Sequence, residues 1–187
     1  YFSVSNVLGN EELWRTDGTP SGTILIKEVK INLSGVYGYE AAGKFLFNAV
    51  FQSHGTELWA TDGTPQGTAL VKDFLVGSTN QYLSLNGVFN GKAIVDFQFN
   101  TWLSDGTNAG TTIVFPNFVS YFTREFNNKL YSVGFDYTGS KIALFSSVGS
   151  PSASVKIGDI GSVNDVSIEL NSTRQIPVAN NKLILPY

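Results

Sequence analysis

The sequence predicts an all-β chain built from small repeated antiparallel sheets. Three observations carry that expectation: an aromatic-rich, charge-poor composition, short alternating apolar segments closed by turn residues, and a block of sequence that keeps returning. Of 187 residues, 13 % are aromatic (14 Phe, 8 Tyr, 3 Trp) and 14 % charged, against roughly 25 % charged in an average soluble domain. Aromatic and β-branched side chains suit a pleated, half-buried surface, and the 19 Gly, with Asn and Asp, suit the turns between strands. No window of ten or more residues sustains a 3.6-residue apolar period, so helices are not expected.

The returning block is Glu12-Leu13-Trp14-Arg15-Thr16-Asp17-Gly18-Thr19-Pro20-Ser21-Gly22-Thr23, repeated at Glu57-Leu58-Trp59-Ala60-Thr61-Asp62-Gly63-Thr64-Pro65-Gln66-Gly67-Thr68. A weaker copy runs from Trp102 to Thr111, and a degraded one from Leu144 to Ser154. Trp14, Trp59, Trp102 and Phe145 share one column, spaced 45, 43 and 43 residues apart. Each block sits in a longer unit. Ahead of it, Gly43-Lys44, Asn90-Gly91-Lys92, Asn127-Asn128-Lys129 and Asn180-Asn181-Lys182 each open an apolar run. Asn-Gly and Asn-Asn tolerate positive φ at both central positions, as a type I′ hairpin requires. After the block comes a further β-like run such as Ile24–Val29 or Ala69–Phe74. The unit is therefore strand, hairpin, strand, loop, Trp strand, Asp-Gly-Thr turn, strand. That is the size of one four-stranded propeller blade, roughly 40–50 residues.

A lone sheet with two apolar faces cannot hide both, whereas sheets stacked around an axis can. The expectation is thus a β-propeller, or part of one, with about four four-stranded antiparallel blades. Approximate bounds are 1–34 (incomplete), 35–80, 81–117, 118–162 and 163–187 (incomplete), in a single repeat domain. Tyr1-Phe2-Ser3-Val4 matches the second strand of a blade and 173–185 a first and then a second strand, which favours a piece of a larger propeller over a closed four-blade ring. Residues 160–172 look like an insertion.

The twelve-residue block resembles the ELWxxDGT repeat family of very large secreted bacterial proteins. Glu12–Thr19 and Glu57–Thr64 match its motif in full, and Gly67-Thr68-Ala69-Leu70-Val71-Lys72-Asp73 is similar to its GTxLVKD continuation. The resemblance covers 1–115 in sequence and 116–187 in spacing and strand pattern. Asn100-Thr101 replace Glu-Leu in the third copy; Phe145 and Val148 replace Trp and Asp in the fourth, whose turn is expected to work differently. The resemblance implies a propeller-forming module of a bacterial surface protein or adhesin, exported, with no defined catalytic activity.

Candidate sites begin with the three turns Asp17-Gly18-Thr19, Asp62-Gly63-Thr64 and Asp105-Gly106-Thr107. A calcium site needs six to eight oxygens, mostly from several carboxylates of one loop. One Asp per loop points instead to an Asx turn, with Gly at positive φ and Thr pairing across the hairpin. Trp14, Trp59, Trp102 and Phe145 are expected in an inter-blade core rather than as a glycan-stacking platform. His54, the only histidine, lies in a polar loop without the partners of a metal or nucleophile site. Glu12, Glu57, Asp96, Glu125, Asp136, Asp159, Asp165 and Glu169 are scattered, without a marked pair for glycoside hydrolysis. Asn32-Leu33-Ser34 and Asn171-Ser172-Thr173 match the N-glycosylation pattern, which a bacterial source would void.

Net charge is −3 without a Lys/Arg run, so nucleic acid is not an expected partner, and no apolar stretch is long enough for membrane insertion. The absence of Cys removes disulfides and thiolate metal sites. With no Met, sparse charge and many Asn, Ser and Thr, the composition suits an extracellular, cell-surface setting. The expected function is a non-enzymatic adhesin or ligand-presenting scaffold without cofactor or metal. Its partners are other domains or subunits of a surface assembly, and glycans. The rival readings are a carbohydrate-active enzyme or lectin working at the propeller axis, and a purely structural filament or spacer.

Overall fold

A computed structural model describes residues 1–5, 11–29, 37–51, 55–77, 82–161, 176, 178–179 and 182–183. The chain is all-β: among the described residues there is no α-helix, only a short 3-10 turn at Pro151–Ala153. The first sheet has three strands, β1 (Phe2–Ser5), β2 (Glu11–Arg15) and β3 (Ile24–Val29). Three four-stranded sheets follow. They are β4 (Gly38–Ala41) to β7 (Ala69–Lys72) with β5 (Lys44–Phe51) and β6 (Gly55–Thr61) between, β8 (Leu83–Phe89) to β11 (Thr112–Phe115) with β9 (Lys92–Phe97) and β10 (Asn100–Ser104), and β12 (Phe118–Phe126) to β15 (Val155–Gly161) with β13 (Lys129–Asp136) and β14 (Lys141–Ser147). A last hairpin joins β16 (Val178–Ala179) to β17 (Lys182–Leu183). Each sheet is a meander, its antiparallel strands paired in chain order. Of the expected insertion at 160–172, residues 160–161 end β15, and the rest lies within 162–175, outside the described residues.

Turn chemistry explains the meander. The tight links between first and second strands hold Ala42 and Gly43 at φ 50° and 74°, Asn90 and Gly91 at 48° and 70°, and Asn127 and Asn128 at 48° and 57°. Two successive positive φ values give a turn whose twist matches that of the flanking strands.

Consecutive sheets pack face to face, and always the same way round. Leu13 and Ile26 of the first sheet are buried with Phe47, Ala49 and Trp59 of the second. The opposite face of the second sheet, with Leu46, Leu58, Ala60 and Val71, packs on Ala93, Val95, Phe97 and Trp102 of the third. Phe89, Ile94, Leu103 and Val114 of the third then meet Phe118, Leu130 and Phe145 of the fourth. The face bearing the column aromatic is thus covered by the sheet before it.

A β-bulge recurs beside that aromatic. The register between the last two strands of each of the first four sheets slips at Leu13/Trp14, Leu58/Trp59, Thr101/Trp102 and Leu144/Phe145. Ile26, Val71 and Val114, skipped at the first three, are buried, whereas Ile157, skipped at the fourth, is exposed. In a regular strand, neighbouring side chains point to opposite faces. The extra residue cancels that alternation for one step. Val71 enters the core while Lys72, next along the strand, also serves the following sheet: its ammonium lies 5.4 Å from the Trp102 ring centre. Lys27 stands likewise 5.2 Å from the Trp59 ring centre. At the next interface Phe115 takes the lysine's place and meets Phe145 edge-on at 5.8 Å. Where Trp becomes Phe, Lys becomes Phe.

Leu58, fully buried between the second and third sheets, tests this core. Leu58→Ala is expected to lower unfolding stability by about 2–5 kcal/mol, measured as a drop in the urea midpoint at unchanged slope.

Candidate functional site

The Asp-Gly-Thr turns join the last two strands of the first three sheets, and their polar groups bond chiefly to one another. In the second sheet, Asp62 Oδ1 accepts from the Thr64 amide (2.9 Å) and the Thr64 hydroxyl (2.7 Å). The Gly67 amide donates to Thr64 Oγ1 (2.9 Å), and Thr68 Oγ1 donates to the Thr64 carbonyl (2.6 Å). The same bonds recur around Asp17 and Thr19 and around Asp105 and Thr107. Gly18, Gly63 and Gly106 hold φ between 79° and 91°. The hydroxyl reaching across the turn is not that of the motif Thr but of the residue before Asp: Thr16 to Thr23 (2.7 Å), Thr61 to Thr68 (2.6 Å), Ser104 to Thr111 (2.7 Å). The motif Thr instead folds back on its own Asp.

A second glycine is fixed by crowding. A Cβ on Gly22, Gly67 or Gly110 would fall on the carboxylate of Asp17, Asp62 or Asp105. Those carboxyls sit below the usual range because of the Thr bonds: the Thr19 amide and then its hydroxyl for Asp17, the Thr64 hydroxyl and then its amide for Asp62, and the Thr107 hydroxyl for Asp105. The fourth copy keeps the frame without the acid. Gly149 N donates to Ser147 Oγ (3.0 Å), Ser154 Oγ to the Ser150 carbonyl (3.2 Å), and Ser154 N to the Pro151 carbonyl (3.1 Å).

The turns also lean on the preceding sheet. A Cβ on Gly63 would come within 2.9 Å of Arg15 Nη1, one on Gly106 within 3.3 Å of Lys44 Cδ, and one on Gly149 within 3.6 Å of Leu103 and Phe89. One on Gly18 would meet nothing within 4 Å.

Of the column aromatics, Trp59 is buried, and Trp102 and Phe145 are half-buried against the preceding sheet. Trp14 is half-buried too; its indole N–H donates to Glu12 (2.9 Å) and its ring faces Phe2 at 6.5 Å.

Most of the scattered acids go to separate places, but Asp136 and Asp159 share Lys156. Glu57, 1 % exposed, accepts from the Phe74 amide (2.7 Å). Burial, together with the nearby Asp73, pushes its carboxyl up to about 7 against the opposing pull of the backbone bond. Asp96 is buried in a hydroxyl and amide network with Asn86, Thr101 (2.5 Å) and Ser120, which Ser132 extends (2.8 Å). Asp136 accepts from Lys156 (2.8 Å) and Thr138; these outweigh burial and draw it down to about 2. Lys156 also pairs with Asp159 (2.6 Å), which faces Lys141 (3.5 Å).

Two polar cavities are lined by described residues. One of about 190 Å³ lies among the first strands of three sheets and is lined by Tyr39, Asn86, Arg124 and Glu125. The other, of about 380 Å³, sits at the turn end and is lined by Tyr1, Glu40, Lys44, Phe45 and Asp62. Among the described residues no three of His, Cys, Asp and Glu come together as metal ligands. No helix among them is long and apolar enough to cross a membrane. His54, Asp165, Glu169 and both glycosylation patterns lie outside the described residues.

The lysines over the Trp rings, the hydroxyl pairs and the buried Asp96 network were missed in the sequence. The first two had a signal, since Lys27 and Lys72, and Gly-Thr at 22–23, 67–68 and 110–111, recur in register. No family model and no curated protein matches the chain.

Gly67→Ala is expected to cost about 1–3 kcal/mol by overpacking. Adding Asp62→Ala should relieve part of that, so the double variant loses less than the two single losses combined in chemical denaturation. For Glu57 the raised carboxyl stabilises the fold fully below its ordinary value near 4.5, and that contribution is lost as pH rises through about 7. Glu57→Gln should therefore gain stability relative to the parent between pH 5 and pH 8.5, by on the order of 2–3 kcal/mol; an unchanged difference would contradict this.

Proposed function

We propose that the chain is a non-enzymatic extracellular repeat module, a β-propeller or a stretch of one, acting as an adhesin-type scaffold that presents its loops to partners. What carries this reading is the uniform stacking of the sheets, with the column aromatics of the second, third and fourth under the sheet before them. Stacking of one hand, unit after unit, is how small sheets form a ring and hide both faces. The first strands β4, β8 and β12 adjoin one another, as strands around a central axis do. The Asp-Gly-Thr carboxylates support the non-enzymatic part, being engaged by their own turns. The resemblance to secreted ELWxxDGT repeats supports export and surface display, with other domains or subunits of the assembly as partners.

Glycans are the ligand class with one observation behind it. Phe99 (55 % exposed) and Tyr137 (42 % exposed), from neighbouring sheets, meet edge-on at 4.6 Å, and Phe135 braces Tyr137 at 4.7 Å. Exposed, mutually fixed rings offer an amphipathic surface at low entropic cost. The enzyme reading has the cavity holding Glu40 and Asp62.

The test is a polysaccharide panel assayed for both binding and cleavage. Retention that weakens about tenfold or more in Phe99→Ala and Tyr137→Ala, without cleavage, supports the ligand-presenting scaffold. Cleavage abolished by Glu40→Gln or Asp62→Asn would overturn it in favour of an enzyme. Absence of both, with the fold intact, would favour the purely structural spacer.

A further inference from the structure

The outer face of the first sheet is the counterpart of faces that are buried elsewhere. Its Phe2, Val4 and Leu25 are 37 %, 43 % and 38 % exposed. The residues in the same register of the second sheet, Phe47 and Ala49, are 0 % and 2 % exposed, and Leu70 packs against the same cluster. Thr16 is exposed, whereas Thr61, Ser104 and Ser147 are buried, and a Cβ on Gly18 would meet nothing within 4 Å. At the two interfaces that have a Trp, the covering sheet brings an aliphatic residue, then a lysine whose ammonium stands over the ring.

We propose that this face is a docking surface for one further sheet of the same repeat type, joined in the same polypeptide on the N-terminal side and carrying an aliphatic-lysine pair on its last strand. The proposal rests on the stacked-scaffold reading. Trp14 supplies the ring, Phe2 and Leu25 the apolar floor, and the lysine closes over the indole as Lys27 does over Trp59. Charge favours this occupant over a second Trp14 face. Glu12 and Glu28 stand opposite each other on strands β2 and β3, so two such faces would set carboxylates against carboxylates. An incoming lysine meets them with the opposite sign. Chain order points to the same polypeptide, since each described interface joins units adjacent in sequence and the N-terminal one supplies the lysine or its replacement.

The experiment fuses a copy of residues 37–93 directly before Tyr1. That adds the second sheet, and it adds a first strand and hairpin leading into β1, with Tyr1 in the column of Ile94. Hydrogen exchange of the Glu11–Arg15 amides should slow by about tenfold or more relative to the 1–187 chain. Trp14→Ala should lower the melting midpoint by several degrees more in the fusion than in the 1–187 chain, and Lys72→Ala in the fused copy should remove much of that excess. Equal Trp14→Ala losses in both chains, or unchanged exchange, would overturn the proposal. So would a 1–187 chain that dimerises and is returned to monomer by Trp14→Ala, which would assign the face to a second copy. Lys27→Ala in the 1–187 chain is the separate check: no destabilisation there would count against the scaffold reading itself.

Discussion

The second, third and fourth sheets bury apolar residues on both sides, which sheets of four short strands can do only against neighbours. That constraint makes the contact between neighbouring sheets the primary structural unit. The contact has a direction: a face of Leu, Val and Lys lies over a face carrying the column aromatic. The β-bulge beside the aromatic makes the direction possible, because it lets Val71 and Lys72 serve the same neighbour when a regular strand would part them. Hydrophobic burial supplies the attraction, and the lysine over the indole adds specificity where the core reaches solvent.

The polar features follow from this stacking. The Asp-Gly-Thr turns meet most of their own amide and hydroxyl needs internally, which lets those of the second and third sheets sit against the preceding sheet. Between the third and fourth sheets a different arrangement prevails, with Asp96, Thr101, Ser120 and Ser132 bonded side chain to side chain inside the interface. A buried network of this kind fixes relative position strongly when fully satisfied. Loop ends such as Phe99 and Tyr137 are therefore held by a rigid base, as a ligand-presenting surface needs.

The sheets were legible because their signals are local. Asn90-Gly91 and Asn127-Asn128 announce the hairpins, and both pairs adopt positive φ. The Trp column announces the repeat, and each column residue falls on the third strand of its sheet or its equivalent. What stayed hidden depends on which residues meet across sheets. Lys27 and Lys72 recur plainly, but only the stacked neighbour gives the lysine a ring to cover. The sequence points to the motif Thr as the one pairing across the hairpin, whereas Thr61 does so and Thr64 folds back, since spacing alone does not tell which hydroxyl crosses the turn. Asp96 gave no sign of burial, because its partners come from three strands and no spacing links them.

The replacement of the lysine-indole pair by Phe115 and Phe145 bears on how such an array can diverge. Each matched pair straddles a boundary, one member on the last strand of a unit and the other on the third strand of the next. Recombination that trades whole units would part both pairs at once and leave a lysine facing a phenylalanine. An exchange whose crossovers fall between the Asp-Gly-Thr turn and the preceding Trp strand would carry each pair intact. The heritable module is then offset from the structural one by a strand, and repeat libraries cut at that offset should retain more folded members than libraries cut at sheet boundaries.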